Sequence, residues 1–400
     1  WIFIANAGDG RTVEIRLAAD MEAGGNTVRL WFTRPEAPPR LGEDLPGTCA
    51  VSLTLRVDLE DRSFHAETHA NPETGNDWTA HTRALEDKAG FVFAPAPDRT
   101  LRCRVDAGRY HPGPEWSLDL PHPVEASRGM TWSGDAWSPG WFEVPLPRGG
   151  TATLTVSADA EDPPSREPGQ AAPGDGTDSF GQQLRRACAA FLASRDQGKT
   201  IIAGYPWFLD WGRDALIASR GLLTAGFREE VFQLLLTFGR FEDRGTLPNM
   251  LSADSTANRD TSDAPLWFGL ACEEAAQRLG PQFHATRIGP RRLGDVLASI
   301  ASGYLAGTPN GIRVDPVSGL VWSPPHFTWM DTNYPAGTPR EGYPIELQAL
   351  WIRLLRQLAR LEPKASWAAL AVRAEGSLGL FWNEPLGCCH DTLLAPSGRP

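Results

Sequence analysis

The sequence lacks long hydrophobic runs and an excess of basic residues. No stretch of about 18 consecutive apolar residues occurs, so the sequence offers no candidate for a membrane-spanning helix. The 400 residues carry a formal net charge of −11. Nucleic acids and anionic membrane surfaces both attract basic patches, so this charge argues against either as a partner. The sequence indicates neither a nucleic-acid partner nor a membrane partner.

Cysteine pairs and nucleotide-binding motifs are also missing. The six cysteines include no CxxC pair, and no GxGxxG, P-loop or GxSxG motif lies in a strand or helix context. Cys49 and Cys103 could form a disulfide in an oxidising compartment, but a reduced pair is favoured. We therefore expect a cytoplasmic protein.

Residues 1–158 have the two-residue period of β-strands. Four segments alternate apolar and polar residues: 12–19, 26–34, 50–61 and 151–158. In the last segment Ala152, Leu154 and Val156 share one face. This pattern predicts an antiparallel β-sandwich, which we expect to be incomplete at its start because Trp1 already begins a strand-like segment.

Residues 159–179 are rich in Pro, Gly, Asp and Glu and have almost no apolar side chains to bury, so they are predicted to be a linker. The pattern then becomes helical in a second domain, 180–400. About seven helices are predicted, with no strand between them: 180–196, 214–226, 228–243, 263–279, 291–307, 345–361 and 366–382.

The connections between these helices alternate in length, as in a closed barrel of helical hairpins whose long loops all emerge at one end. The long loops are 197–213, 244–262 and 308–344. They carry the motifs "DWGRD" (210–214), "NRDTSD" (258–263) and "FTWMDTNYPAG" (327–337) or lead directly into them. Rings that stack on sugar C–H faces, beside Asp, Asn and Arg that bind hydroxyls, favour a neutral carbohydrate over a phosphate or a metal.

Each carboxylate in these motifs has a structural alternative. Asp214 and Asp263 both open predicted helices, so either could act only as an N-cap or a first-turn acid. Asp331 precedes no predicted helix and follows Trp329-Met330. Hydrolysis of a glycosidic bond requires a pair of carboxyl groups, one of them protonated. Asp331 is therefore the strongest candidate for the proton donor.

Four ordered blocks of the sequence resemble the amylo-α-1,6-glucosidase domain of glycogen debranching enzymes. The blocks are "AGYPWFLDWGRDALIASRGLLTAG", "GTLPNMLSADSTANRDTSDAPLWF", "GIRVDPVSGLVWSPPHFTWMDTNYPAGTPREGYPIELQALW" and "FWNEPLGCCHDTLLAPSGRP". The resemblance covers about residues 185–400, and residues 1–157 resemble more faintly the β-rich domain that precedes it in bacterial and archaeal members.

This resemblance implies an (α/α)₆ barrel and inverting hydrolysis of α-1,6-linked glucose at glycogen or limit-dextrin branches, without metal or cofactor. Asp331 in "TWMD" matches the general acid, while Arg213 and Asp214 match residues that hold glucose hydroxyls. The remaining substrate-binding candidates are the aromatic walls Trp207 and Trp211, the neighbouring rings Tyr205 and Trp329, and the polar positions Asn249, Asp263 and Glu346.

The resemblance further implies twelve barrel helices, so we expect this chain to be part of a longer protein. The general base would then lie beyond Pro400, and the 400 residues alone would be inactive. Two alternatives stay open: a related barrel glucosidase of the trehalase, glucoamylase or oligosaccharide-glucosidase type, and a non-catalytic glucan-binding protein. Neither the oligomeric state nor a transferase activity follows from the sequence.

Overall fold

A computed structural model describes residues 1–22, 25–62, 66–127, 131–159, 179–195, 198–205, 208–251, 258–332, 338–363 and 365–394. The chain divides into two compact units, Trp1–Thr177 and Asp178–Pro400. The predicted linker lies almost wholly outside the described residues.

The first unit is built mainly of strands. They are β1 (Ile2–Asn6), β2 (Arg11–Met21), β3 (Thr27–Thr33), β4 (Glu43–Asp44), β5 (Ser52–Arg56), β6 (Thr82–Ala84), β7 (Gly90–Ala96), β8 (Arg99–Val105), β9 (Arg109–Pro121), β10 (Ser133–Pro145) and β11 (Thr151–Ser157). Two helices join them, α1 (Pro72–Ala80) and α2 (Pro123–Ser127).

These strands form two sheets that share one core. The larger sheet has the order β1-β2-β3-β11-β8-β7-β6, antiparallel throughout, with β4 paired parallel to β2. The smaller sheet has the order β5-β10-β9. Phe91 of the larger sheet and Phe142 of the smaller lie with ring centroids 6.0 Å apart, and both are fully buried. Apolar faces from both sheets are thereby removed from water together.

The four predicted strands are confirmed as β2, β3, β5 and β11. Ala152 and Leu154 of β11 are buried and Val156 packs against the same core, as the alternation predicts. Helix α1 was not predicted, although its start signal is present. The Oδ1 of Asn71 accepts a hydrogen bond of 2.7 Å from the backbone N–H of Thr74, and Pro72 occupies the first turn.

The second unit contains seven α-helices within its described residues: α3 (Phe180–Ala190), α4 (Gly212–Ala225), α5 (Arg228–Arg240), α6 (Ala264–Leu279), α7 (Leu293–Ala306), α8 (Ile345–Leu361) and α9 (Trp367–Gly376). Two 3₁₀ helices span Pro281–Ala285 and Leu378–Phe381.

Short strands lie between these helices and after α9. They are β12 (Leu192–Arg195), β13 (Gly198–Ile201), β14 (Asp210–Trp211), β15 (Met250–Leu251), β16 (Arg287–Ile288), β17 (Arg291–Arg292), β18 (Arg313–Val314), β19 (Val321–Trp322), β20 (Gly342–Pro344), β21 (Trp382–Asn383), β22 (Cys388–Cys389) and β23 (Thr392–Leu394). Each belongs to a two-stranded ladder.

Alternate helices pack against one another. Helix α4 contacts α6, α6 contacts α8, and α5 and α7 pack against these helices from positions between them in the chain. Helices α6 and α8 are the most buried, and their apolar residues form the centre of one large core. This two-layer arrangement is what successive helical hairpins produce, and a closed (α/α)₆ barrel stays a prediction.

Two predictions for this unit were wrong in detail. The first helix was predicted to run to residue 196 but ends at Ala190, and the following residues form the β12–β13 hairpin. A tertiary contact favours the hairpin, because Arg195 Nη1 of β12 donates to both carboxylate oxygens of Asp210, at 3.1 and 2.9 Å. The expectation of no strands between helices was also wrong, because two-stranded β-ladders join the loops.

The six cysteines are free thiols, including Cys49 and Cys103. Burial raises the pKa of the Cys103 thiol to about 12, so this side chain behaves as a small core residue. Among the described residues, no helix has the length and apolar character needed to cross a bilayer.

Two helical glycines provide a matched test of the packing. A Cβ at Gly303 in α7 would lie 2.6 Å from the carbonyl oxygen of Arg244 and 2.6 Å from the Cα of Gly245, whereas a Cβ at Gly221 in α4 would meet nothing within 4 Å. We expect Gly303→Ala to destabilise the protein by about 1–3 kcal/mol through this backbone clash. Gly221→Ala should stabilise it by about 0.5–1 kcal/mol, because alanine is the better helix former. Urea unfolding measures both changes in the free energy of unfolding. Equal effects at the two sites would contradict the close approach of α7 to Arg244 and Gly245.

Candidate active site

The site is organised around the start of α4. Strands β14 and β15 pair Asp210 with Leu251 and Trp211 with Met250. The next residue, Gly212, donates its backbone N–H to the carbonyl oxygen of Asn249 at 2.9 Å. A Cβ at Gly212 would lie 2.9 Å from the carbonyl oxygen of Pro248, so a larger residue would force these two loops apart. The ladder therefore places Arg213 beside the loop that carries Asn249.

Arg213 holds two carboxylates from different loops. Its Nε donates to Asp263 Oδ2 at 2.5 Å, and its Nη1 donates to Asp331 Oδ2 at 3.1 Å. The arginine is only 8% exposed. Burial disfavours its charge, but the carboxylates of Asp263 and Asp331 outweigh burial and raise the pKa of Arg213. Its Nη2 is buried and has no hydrogen-bond partner within the described part of the chain.

Asp263 is locked in place from several directions. It is 1% exposed and also accepts a hydrogen bond of 2.8 Å from Thr261 Oγ1. The preceding residue, Ser262, shares a 2.8 Å hydroxyl–hydroxyl bond with Ser323, and its carbonyl oxygen accepts from the Tyr304 hydroxyl at 2.8 Å. Asp263 occupies the N-cap position of α6, but its side chain makes no capping bond. Its carboxylate pairs with Arg213 instead, so Asp263 does not act as a helix cap.

Asp214 lies in the first turn of α4 and is exposed to solvent. Desolvation by the surrounding protein raises the pKa of Asp214. The positive charge of Arg213 opposes this shift, and the negative charges of Asp331 and Asp263 add to it. Asp214 is therefore an accessible carboxylate beside a buried charge cluster, in a setting suited to contact with a ligand.

Asn249 carries a second unpartnered polar atom. The residue is 5% exposed, and its side-chain Oδ1 is buried without a hydrogen-bond partner among the residues that the structure describes. Buried polar atoms are rarely left unsatisfied, because each costs about 1–3 kcal/mol. Asn249 and Arg213, on segments joined through Gly212, thus each carry a buried polar atom without a partner among the described residues.

The loop that carries Asp331 is closed at its base. The backbone N–H of His326 donates to the carbonyl oxygen of Pro339 at 2.9 Å, and Ser323 and Gly342 exchange backbone bonds of 2.7 and 3.1 Å. Within the loop, the carbonyl oxygen of Phe327 accepts from the Ser262 N–H at 2.7 Å. Asp331 retains 34% side-chain exposure. The predicted donor therefore lies at a solvent-accessible edge of the cluster.

Glu346 lies in the first turn of α8 and is held by an arginine that the sequence analysis did not single out. Arg340 donates from Nη1 to Glu346 Oε1 at 2.5 Å and from Nη2 to Oε2 at 2.7 Å. Arg340 is 3% exposed. The only sequence signal was a basic residue shortly before a predicted helix, in "TPREGYPIE", and such residues are common at the surface.

The described aromatic candidates do not form one cluster around Arg213. Tyr205 is 44% exposed and packs edge-on against Phe191, with ring centroids 6.4 Å apart, rather than against the carboxylates. Trp211 is half-buried at the N-cap position of α4. Trp329 is 55% exposed, with the Arg340 guanidinium 5.9 Å from its ring centroid. Trp207 lies outside the described residues.

The cluster has an excess of negative charge. Asp214, Asp263 and Asp331 surround the single guanidinium of Arg213. Such a site repels phosphates and carboxylates but can accept hydrogen bonds from neutral hydroxyl groups. Within the described residues, no group of three or more His, Cys, Asp or Glu side chains is placed to hold a metal ion.

The second unit matches the family described as "Amylo-alpha-1,6-glucosidase" over residues 183–397, and the first unit matches "Glycogen debranching enzyme N terminal" over residues 5–153. These matches confirm the resemblance noted in the sequence. No curated protein matches the chain. Among solved structures, a polysaccharide lyase aligns with 94% of this chain at 10% sequence identity and a TM-score of 0.25. The chain spans 57% of that structure's length, and a likeness this weak carries no conclusion about fold or function.

The raised pKa of Asp214 predicts a pH-dependent gain from its removal. A folded-state pKa above the unfolded value means that ionisation of Asp214 costs stability at neutral pH, and this cost vanishes below the unfolded pKa of about 3.9. We expect Asp214→Asn to be more stable than the parent at neutral pH, with the gain fading as the pH falls towards about 4. Urea unfolding across this range measures the difference.

A control for this experiment is Asp243→Asn, which removes a carboxylate from an exposed pair with Arg244 that water screens. A gain from Asp214→Asn that stays constant across the pH range would contradict the proposed burial cost.

Proposed function

The chain belongs to the amylo-α-1,6-glucosidase family, and we propose on that basis that it serves a glycoside hydrolase that releases α-1,6-linked glucose from branch stubs of glycogen or a similar α-glucan. One observation carries the proposal. Arg213 joins the predicted acid Asp331 to the buried Asp263, while its own Nη2 and the Oδ1 of Asn249 lack partners among the described residues.

A terminal glucose matches these unpartnered groups. Each of its hydroxyls both donates and accepts a hydrogen bond, so it offers a partner of the right kind to the Nη2 donor of Arg213 and to the Oδ1 acceptor of Asn249. Asp214, which is exposed beside them, accepts a further hydroxyl. These three residues hold the sugar in the innermost subsite, and Trp211 and Trp329 supply apolar faces for it.

Asp331 supplies the proton to the glycosidic oxygen. In the structure its Oδ2 accepts a hydrogen bond from Arg213 Nη1 at 3.1 Å, so the carboxyl faces the guanidinium. When sugar hydroxyls take over the Arg213 donors, Asp331 is released towards the leaving oxygen. Inverting hydrolysis also needs a second carboxylate about 6.5–9.5 Å away that activates water.

The role of Asp331 is tested by Asp331→Asn in the protein that carries this chain. General acid catalysis contributes about 10²–10⁴-fold, so glucose release from limit dextrin should fall by that factor while the unfolding temperature hardly changes. A parallel panel of isomaltosyl, maltosyl and trehalose substrates distinguishes the related glucosidases. Unchanged glucose release by Asp331→Asn would remove Asp331 as the acid. Preference for maltosyl or trehalose substrates would overturn the α-1,6 assignment, and sugar binding without any hydrolysis would identify a glucan-binding protein.

The role of Asn249 is tested by Asn249→Ala in the Asp331→Asn background, where isomaltose is bound without turnover. Loss of one hydrogen bond should raise the Kd by up to about tenfold, because such a bond contributes about 0.5–1.5 kcal/mol. Isothermal titration calorimetry measures the Kd. Urea unfolding measures stability, which should stay the same or rise, because the substitution removes a buried Oδ1 that has no partner in the described structure.

Asn310→Ala is the matched control. Asn310 accepts from Thr308 Oγ1 at 2.6 Å and donates to the Arg259 carbonyl oxygen at 2.6 Å, so its loss should cost stability and leave the Kd unchanged. If Asn249→Ala instead behaves like Asn310→Ala, losing stability but not affinity, Asn249 is structural.

A further inference from the structure

We propose that Arg340 is the positioning residue for loop 323–331, which carries Asp331 and Trp329. The inference rests on the proposed function for the role of Asp331, but the contacts that support it do not depend on that role. Arg340 touches neither Asp331 nor Arg213 in the structure; it acts through the loop.

The Arg340 side chain joins three segments of the chain. Its Nη1 donates to Thr328 Oγ1 at 3.1 Å within the loop, and both terminal nitrogens bind Glu346 at the start of α8. Its Nε donates to Asp391 Oδ2 at 2.8 Å and its Nη2 to Asp391 Oδ1 at 2.9 Å, just before β23. A planar guanidinium can bind two carboxylates through paired donors, whereas a lysine ammonium offers no such fork.

The backbone at this point is unusual for a residue with a side chain. Arg340 has φ of +51° and His326 has φ of +62°, both in the left-handed region that favours glycine. These two residues flank the base of the loop, where the His326 N–H meets the Pro339 carbonyl oxygen. A strained backbone persists only where surrounding contacts over-determine it, and the bonds of Arg340 to Glu346, Asp391 and Thr328 supply those contacts on one side.

The opposite side of the loop is held by the segment that carries Asp263. Ser262 binds the loop through its N–H to the Phe327 carbonyl oxygen at 2.7 Å and through its hydroxyl to that of Ser323 at 2.8 Å. The loop therefore lies between Arg340 and Ser262. Asp331 comes three residues after the anchored Thr328, so a shift of the anchor moves the carboxyl that must reach the glycosidic oxygen.

Glu346 has a structural part in this arrangement, beside the substrate-binding role that the resemblance implies. Both of its carboxylate oxygens are engaged by Arg340, and its side chain is 28% exposed. Glu346 and Asp391 are the counter-charges that keep a nearly buried cation in place. The catalytic consequence of this cluster is the position of the loop, and a contact of Glu346 with the sugar is not needed for it.

The test compares Arg340→Lys and Arg340→Gly with the parent protein, using an α-1,6-linked substrate. A misplaced donor should lower kcat by about 10²-fold in both variants. The change in KM should be smaller, because Trp329 moves with the loop but Arg213, Asp214 and Asn249 lie outside it. Added guanidinium ion at millimolar concentration should restore part of the kcat of Arg340→Gly, where the freed space lies between Glu346 and Asp391. Glycine also tolerates the left-handed backbone, so this variant separates loss of the side chain from backbone strain.

Arg291→Lys and Arg291→Gly are the matched controls. Arg291 of β17 binds the buried carboxylate of Glu242 and the carbonyl oxygen of the same residue, which follows the end of α5. These variants should lower the unfolding temperature without a selective loss of kcat and without rescue by guanidinium. An unchanged kcat in Arg340→Lys would overturn the proposal. So would a kcat of Arg340→Gly that guanidinium restores no better than it restores that of Arg291→Gly.

Hydrogen exchange separates this inference from the proposed function. The N–H groups of Ser262, Ser323 and His326 are bonded in the structure to loop 323–331 or across its base. Arg340→Lys should speed their exchange, whereas Arg291→Lys should not. If the parent protein cleaves no α-1,6 bond but these amides still respond, the proposed function fails and the positioning role stands. If catalysis is confirmed and the amides do not respond, the positioning role fails alone.

Discussion

The ion pair between Arg213 and Asp263 is the interaction on which the second unit's site depends. Both groups are nearly buried, and their atoms lie 2.5 Å apart. A cation removed from water requires carboxylates close by, and removal of one partner from such a pair costs about 3–5 kcal/mol. Arg213 is at the start of α4 and Asp263 is at the start of α6, so the pair joins two helices that also pack on each other. The third member, Asp331, is brought to the same guanidinium from a loop that leads towards α8.

A second arginine repeats this arrangement around a different set of loops. Arg340 gathers Glu346, Asp391 and Thr328, and Ser262 connects the two clusters through its bonds to loop 323–331. Each guanidinium thus fixes loops that come from distant parts of the sequence. Polar networks of this kind rigidify a site only when nearly every member is satisfied. Arg213 Nη2 and Asn249 Oδ1 are two buried polar atoms here without a partner among the described residues, and the proposed function assigns sugar hydroxyls to them.

Local sequence patterns predicted the elements better than their ends. The helical period located all seven α-helices described in the second unit, because burial of an apolar stripe requires that period. It extended the first helix too far, since it could not register the pairing of Arg195 with Asp210 that draws residues 192–195 into a hairpin. The Asn71-Pro72 start of α1 was a local signal that was overlooked. The ring of Tyr205 packs on Phe191, a contact that its place in the motif does not reveal, and its role in sugar binding stays a prediction.

The sequence by itself determined the alternation of strands and then helices, the concentration of Trp and Asp in long loops, and the membership of the family, because these depend on residue type and order. Tertiary structure decided what each carboxylate does. Asp263 stands at a helix start, where a capping role and an ion-pair role look the same in sequence, and only the approach of Arg213 distinguishes them. Arg340 gave almost no signal, since its importance comes from Thr328, Glu346 and Asp391 meeting around it. Long-range electrostatic contacts are made by residues far apart in the chain, and no local pattern records which of them will meet.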